Sequence, residues 1–175
     1  MTDLELLQRD AIGDGRECVV GAAILDASGR VFVQRRSPER RLLPGCWDVV
    51  GGHVERGESL LEALAREVAE ETGWSFVAAD ELLLVADWET PEPGGPRRRR
   101  EFDFRVRVEG DLAAPRLEVG KHTEYRWIGA DDLGVLDENR GADDGMVRRI
   151  VELALAKPSL GRGPEGSGAD RPPAG

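Results

Sequence analysis

Hydrophobic positions along the chain alternate between a period of two and a period near 3.6, and the switches between them mark out its elements. Residues 17–25 (ECVVGAAIL) are small and β-branched throughout, which predicts a buried strand. The turn Asp26-Ala27-Ser28-Gly29 and a second strand over 31–35 then predict a hairpin. Residues 37–46 (SPERRLLPGC) read as a loop by their prolines and glycine, 47–50 return to strand, and Gly51-Gly52 form a turn. Beyond it Leu60, Leu61, Leu64 and Val68 fall on one helical stripe that must face a core. Ser59 and Glu62 have the spacing of a capping box, in which the serine oxygen and the glutamate each satisfy an amide of the first turn, so this helix begins at Leu60. Gly73, free to take the left-handed conformation, ends it after Thr72.

Residues 75–79 and 81–88 read as extended, 89–96 (ETPEPGGP) as a connecting loop, and 99–108 (RREFDFRVRV) as a half-exposed strand of period two. A short strand over 124–128 (EYRWI), a turn or short helix over 130–133 and a polar loop over 137–145 follow. A second long helix is predicted over 144–157, with Met146, Val147, Ile150, Val151 and Ala154 on one face and Asp143 or Asp144 as its cap. A short helix over 2–9, with Thr2 and Glu5 as a capping box, precedes the first strand. Strands interleaved with two substantial helices predict an α/β domain with a mixed β-sheet packed between helices. We place it at 17–157, after an N-terminal extension of 1–16 and before a Gly- and Pro-rich tail, 158–175, whose composition predicts disorder.

The chain has 175 residues, enough for one domain with a real core. Its 34 acidic and 24 basic residues give a net charge of −10, the wrong sign for a protein that binds polymeric nucleic acid through phosphates. A small polyanionic partner is compatible with that charge if cations neutralise it locally. Cys18 and Cys46 have no metal-ligand spacing and read as free thiols. No apolar run is long enough to span a bilayer, and the amino terminus is acidic where a secretory signal is basic, so a cytoplasmic location and no membrane partner are expected.

Charge changes the picture most in the first long helix. Glu67, Glu70 and Glu71 share one sector beside its apolar stripe. Carboxylates so spaced repel by roughly 0.2–0.5 kcal/mol per pair, and two of the three lie in the last turn, where the helix dipole disfavours anions. A hard divalent cation such as Mg²⁺ would reverse that balance, because it takes oxygen ligands and leaves positions for water and phosphate. The loop pattern of a calcium hand is missing.

The stretch GHVERGESLLEALAREVAEETGW resembles the Nudix hydrolase signature, G-x5-E-x7-R-E-U-x-E-E-x-G-U. Gly52, Glu58, Arg66, Glu67, Val68, Glu70, Glu71 and Gly73 match it, and Trp74 stands where an aliphatic residue is usual. A chance match of the strict positions comes to about one in a billion at average composition. The resemblance implies a Nudix-like α/β/α sandwich and divalent-metal-dependent hydrolysis of a nucleoside diphosphate linked to another group, with Mg²⁺ or Mn²⁺ as cofactor. It implies Glu70 and Glu71 as metal ligands together with the carbonyl of Gly51, Glu67 as ligand or general base, and Glu58 and Arg66 as their support. Further substrate-site candidates are His53 at the turn, Arg97 at the head of an arginine run (97–100), and Glu118 and Glu124 in a later segment, where His122 also lies. Trp47, Trp88 and Trp127 are candidates for stacking on a base. The expected partner is a small-molecule nucleotide, with a homodimer left open. By texture the chain is most like a nucleoside triphosphate pyrophosphatase. Coenzyme A, ADP-ribose and nucleotide sugars are alternative substrates, and a non-catalytic nucleotide-binding module is an alternative role.

Overall fold

The structure, a computed structural model, describes residues 3–156. Seven strands form two sheets. In the first, β4 (Val50–His53), β1 (Glu17–Ile24), β6 (Arg97–Glu109) and β5 (Ser75–Thr90) lie in that order, with β1 antiparallel to β4 and parallel to β6. The second has the order β3 (Trp47–Asp48), β2 (Val31–Arg36), β7 (His122–Ile128). Helix α1 (Asp3–Gly13) packs on β1, and α2 (Leu60–Thr72) lies over β4, β1 and β5. A 3₁₀ helix (Ala130–Asn139) and α3 (Met146–Leu155) cover the opposite side. No described helix is long and apolar enough to cross a membrane.

Strand alternation divides the core into two layers. On β1, Val20, Ala22 and Ile24 meet Leu60, Leu64 and Val68 of α2, while Ala23 joins Val147, Ile150, Val151 and Ala154 of α3. On β2, Phe32 goes to the first layer, and Val31 and Val33 to the second. Both sheets thus sit between helices, and the chain has the α/β/α fold. Trp74, the departure from the usual pattern, meets Phe32 edge-on at 5.0 Å and stacks on Trp127 at 5.9 Å. Its Nε1 donates to the Asp111 carbonyl at 2.9 Å, so the indole replaces an aliphatic side chain without leaving its donor unmet. Cys18 and Cys46 are both free and buried.

Several expected boundaries move. The first two strands do not form a paired hairpin: they enter different sheets and share only the bridge between Leu25 and Val31. Gly51 and Gly52 lie within β4, paired to Gly21 and Val20, and are not a turn. The two extended segments after α2 are one long strand, β5, whose register shifts at three places along β6. Helix α3 starts at Met146 after Gly145, which has φ +72°, and Asp143 caps it by accepting from the amides of Gly145 and Val147. Thr2 and the tail 158–175 lie outside the described residues.

The largest correction concerns β6. Its period-two pattern predicts a polar face in water, yet Arg99, Glu101, Asp103 and Arg105 are 4, 7, 0 and 6% exposed. The apolar face, Phe102, Phe104 and Val106, packs under α2 as expected. At one end of the polar face the Arg105 guanidinium bonds to the Ala154 carbonyl of α3, and at the other Arg99 bonds to His53 and Thr90.

Candidate active site

Helix α2 begins as its sequence dictates. The Ser59 hydroxyl accepts from the Glu62 amide, the Glu62 carboxylate accepts from the Ser59 amide at 2.8 Å, and Gly73 closes the helix at φ +72°. That register carries Glu67 and Glu71 to the buried side and leaves Glu70 half-exposed. A cavity of about 870 Å³ opens beside them, and Glu67, Glu70, Glu71, Gly51 and Gly52 all line it.

Arg66 organises the N-terminal half of this cluster. Its Nε and Nη2 donate to the two oxygens of Glu58 at 2.8 and 3.0 Å, Nη1 donates to Glu67 Oε1 at 2.6 Å, and Nη2 also reaches the His53 carbonyl at 2.9 Å. The bidentate pair fixes the guanidinium plane and, through it, the Glu67 carboxylate. Glu58 is held below its usual range by the hydrogen bond from Arg66. Glu67 is pushed up by burial, against the pull of Arg66. Glu67 also lies against Gly52: a Cβ there would come within 2.2 Å of its Oε1.

Glu71 is held differently, by neutral groups. Its Oε2 accepts from Gln34 Nε2 at 2.6 Å and from the Gly51 amide at 3.1 Å. His122 Nε2 stands 3.8 Å from the other oxygen. Burial pushes Glu71 up to about 8, with the charge of Glu67 adding to it. Burial also pushes His122 down to about 4, so near neutral pH the imidazole is uncharged and gives Glu71 no counter-ion. Gln34, wholly buried, escaped the sequence reading, although a polar residue at the end of the apolar run Val31-Phe32-Val33 was its available signal.

As they stand, no group of three or more His, Cys, Asp or Glu side chains among the described residues is arranged to hold a metal ion. The donor chemistry nevertheless fits one: the carboxylates of Glu67 and Glu71 are both buried, both raised by desolvation, and both face the same cavity. A second positive charge among them would offset the repulsion and the burial together.

The other sequence candidates divide. His53 and Arg97 line the cavity, with Arg97 3.2 Å from Glu17. Glu118 and Glu124 do not line it; they pair with Lys121 at 2.7 Å and with Arg35 at 2.9 Å. Strand alternation splits the arginine run. Arg100 bonds to Asp87 at 2.7 Å, whereas Arg99 turns in, donating to His53 Nε2 at 3.0 Å and Thr90 Oγ1 at 2.7 Å with its guanidinium 4.7 Å over the Trp88 ring. Trp88 lines the cavity, while Trp47 is fully buried and Trp127 belongs to the aromatic stack. Arg36, Arg40, Arg41 and Lys121 also line the cavity. Arg40 makes no side-chain ion pair among the described residues, and the sequence reading passed over it.

The model of the NUDIX domain matches residues 15–150. The chain belongs to the Nudix family. A nucleoside triphosphatase of Klebsiella pneumoniae is 28% identical to this Nudix domain over 131 residues, covering 71% of the chain and 90% of that protein. A Nudix hydrolase of Nostoc sp. is 35% identical over 104 residues, 48% of this chain, and the chain spans 60% of that relative's length. Among solved structures, the MutT protein of Methanosarcina mazei superposes with a TM-score of 0.56 at 27% identity, covering 75% of this chain and 95% of its own.

Proposed function

We propose that this Nudix hydrolase is a divalent-metal-dependent pyrophosphatase of nucleoside triphosphates. The observation that carries the reading is the pair Glu67 and Glu71, buried side by side at a cavity whose remaining walls bring Arg36, Arg40, Arg97 and Lys121 to the same space. In a chain of net charge −10, that collection of cations is local, and it matches a polyphosphate in sign. The similarity to a nucleoside triphosphatase over most of both chains supports the same substrate class.

Glu67, Glu70, Glu71 and the Gly51 carbonyl would hold Mg²⁺ or Mn²⁺. Bound there, the cation supplies Lewis-acid chemistry, neutralising phosphate oxygens and acidifying water. The protein's own groups do the rest. Glu58 and Arg66 hold Glu67 in one orientation; Gln34 and the Gly51 amide hold Glu71. Glu67, raised by burial, is a better proton acceptor than an exposed carboxylate and takes the proton from the attacking water. Arg40, which makes no side-chain ion pair among the described residues, and Arg97 orient the phosphates. Water adds at phosphorus as the phosphoanhydride bond breaks, giving a nucleoside monophosphate and pyrophosphate.

Cleavage of the phosphoanhydride bond in a panel of nucleoside triphosphates, coenzyme A, ADP-ribose and nucleotide sugars, with Mg²⁺ or Mn²⁺ and with both product fragments followed by chromatography, tests this. Triphosphates turned over at the highest kcat/KM, with loss on Glu71→Gln in a folded variant, are expected. A higher kcat/KM for another class, or binding without release under every condition, overturns it.

A further inference from the structure

The buried polar face of β6 is unused by the chemistry above. Glu101 lines the cavity floor, and its Oε2 accepts from Trp88 Nε1 at 2.7 Å. Register places Val19 of β1 and Ala86 of β5 on either side of it, and Trp88 and Val49 line the cavity together with Arg36, Asp48 and Arg99. Behind it lies Asp103, fully buried, with neither carboxyl oxygen accepting a hydrogen bond from any donor among the described residues. Its Oδ1 rests where a Cβ of Gly21 would stand, 2.0 Å away, and Gly21 also lines the cavity. Both carboxyls are raised first by burial. Asp103 is pushed well above its usual range and gives its proton to the contact with Glu101, which is pushed up to about 7 under the further influence of Asp48 and, in the opposite sense, Arg36. Above neutral pH the pair therefore presents one ionised, accepting carboxylate, Glu101, to the cavity.

A cavity wall that carries an indole and an acceptor fixed by that indole suits a flat heterocycle read at one polar edge. Resting on the triphosphate reading above, we propose that Glu101 selects the nucleobase by accepting a hydrogen bond from an exocyclic amino group, so that amino-bearing bases are favoured over their oxo counterparts. The indole of Trp88 gives the selection its sense. Because Nε1 already donates to one oxygen, the other is the one turned to the base, and a carboxylate oxygen accepts but does not donate. A base with a carbonyl at that edge meets a buried charge with no proton between them, a mismatch larger than the loss of one neutral hydrogen bond.

The test compares pairs of nucleotides that differ at one edge, CTP against UTP and ATP against ITP, at pH 8. The wild-type chain is expected to favour the amino member of each pair by about tenfold or more in kcat/KM. Glu101→Gln is expected to reverse the preference: Trp88 Nε1 holds the amide oxygen, and the amide NH₂, a donor, is left facing the base. Glu101→Leu is expected to bring both ratios close to one. Titration calorimetry with CMP, UMP, AMP and IMP reads the same preference in binding alone, so it separates a failure of this inference from an absence of triphosphate turnover. Equal binding of CMP and UMP and of AMP and IMP, or ratios unchanged in folded Glu101→Gln, would overturn it.

Discussion

Two groups of carboxyls are buried in this domain, and they are stabilised in unlike ways. Glu67 and Glu71 on α2 lie near Arg66, accept from Gln34 and a backbone amide, and face a cavity with room for a cation. Glu101 on β6 faces the same cavity from its floor and accepts from the Trp88 indole, while Asp103 behind it has no donor to either oxygen among the described residues. Burial raises both groups, so burial alone does not say what either is for. What differs is the surroundings. On the function proposed above, the α2 group loses its protons to a metal, and the β6 group keeps one.

The first way to break this comparison is to neutralise one member of the α2 group. Glu71→Gln keeps the shape and the Gly51 contact, removes a charge that a metal requires, and is expected to lower kcat by about a thousandfold, some 4 kcal/mol in the barrier. Its melting temperature without metal should hold or rise at pH 8, because the charge that burial disfavours is gone. A variant that keeps more than about a tenth of wild-type turnover would show that the α2 carboxylates are structural.

Stability against pH sharpens the contrast. The unfolded chain gives up these protons near the ordinary 4.5 of glutamate, whereas the folded chain keeps them to about 8 at Glu71 and about 7 at Glu101, and longer at Asp103 than its ordinary 3.8. Over that interval the folded state binds more protons, so stability is full below about pH 4 and falls as pH rises toward 8. Each tenfold difference in proton affinity between the folded and unfolded chain is worth about 1.4 kcal/mol, so the fall should amount to a few kcal/mol. Melting curves in chelator, pH 5 to 8, should show it, and Glu71→Gln and Asp103→Asn should each remove part. Excess Mg²⁺ at pH 8 should restore the part due to Glu71 and leave the part due to β6. Restoration of both would mean that the two groups are one site.

Each group also rests on a glycine, which gives a third test. A Cβ at Gly21 would stand 2.0 Å from Asp103 Oδ1, and one at Gly52 2.2 Å from Glu67 Oε1. Asp103 is sealed and short, so Gly21→Ala is expected to cost about 1–3 kcal/mol of folding stability through overpacking. Glu67 borders the cavity, so Gly52→Ala should lose less stability. On the role proposed for Glu67 it should still lose roughly ten- to a hundredfold in kcat, since it moves that carboxylate. Equal stability losses would place the two carboxyls in equally closed surroundings.

The two groups were not equally legible. Glu58, Arg66, Glu67, Glu70 and Glu71 stand in one stretch of sequence whose spacing, cap and glycine stop fix a helix register, and local geometry does the rest. Glu101 and Asp103 stand in an equally clear period-two pattern, but periodicity says which residues share a face and not what covers it. What meets that face, the Ala154 carbonyl at Arg105 and His53 at Arg99, comes from segments distant along the chain. The same limit explains the first hairpin: the turn at Asp26–Gly29 is real, yet β1 finds β6 and β4, and β2 finds β7 and β3. Gln34 and Arg40 needed tertiary structure to acquire a role at all.

The smallest test concerns how each group is held in register. Removing the α2 cap by Ser59→Ala takes away the side-chain acceptor of the Glu62 amide and the hydroxyl that bonds the Glu62 carboxylate. The expected loss is about 1 kcal/mol, visible as a small drop in melting temperature. Turnover should hardly change, because Glu67 and Glu71 lie in the second half of the helix, fixed by Arg66, Gln34 and Gly51 independently of the first turn. On β6 no local device of this kind exists; its carboxyls are placed by ladders to β1 and β5 on both flanks. Hydrogen exchange should therefore show the first turn of α2 opening more readily in Ser59→Ala while the β6 amides remain as protected as in the wild type. Loosening of β6 by the same substitution would mean that helix and floor open together, and that the cavity between them is a single cooperative unit.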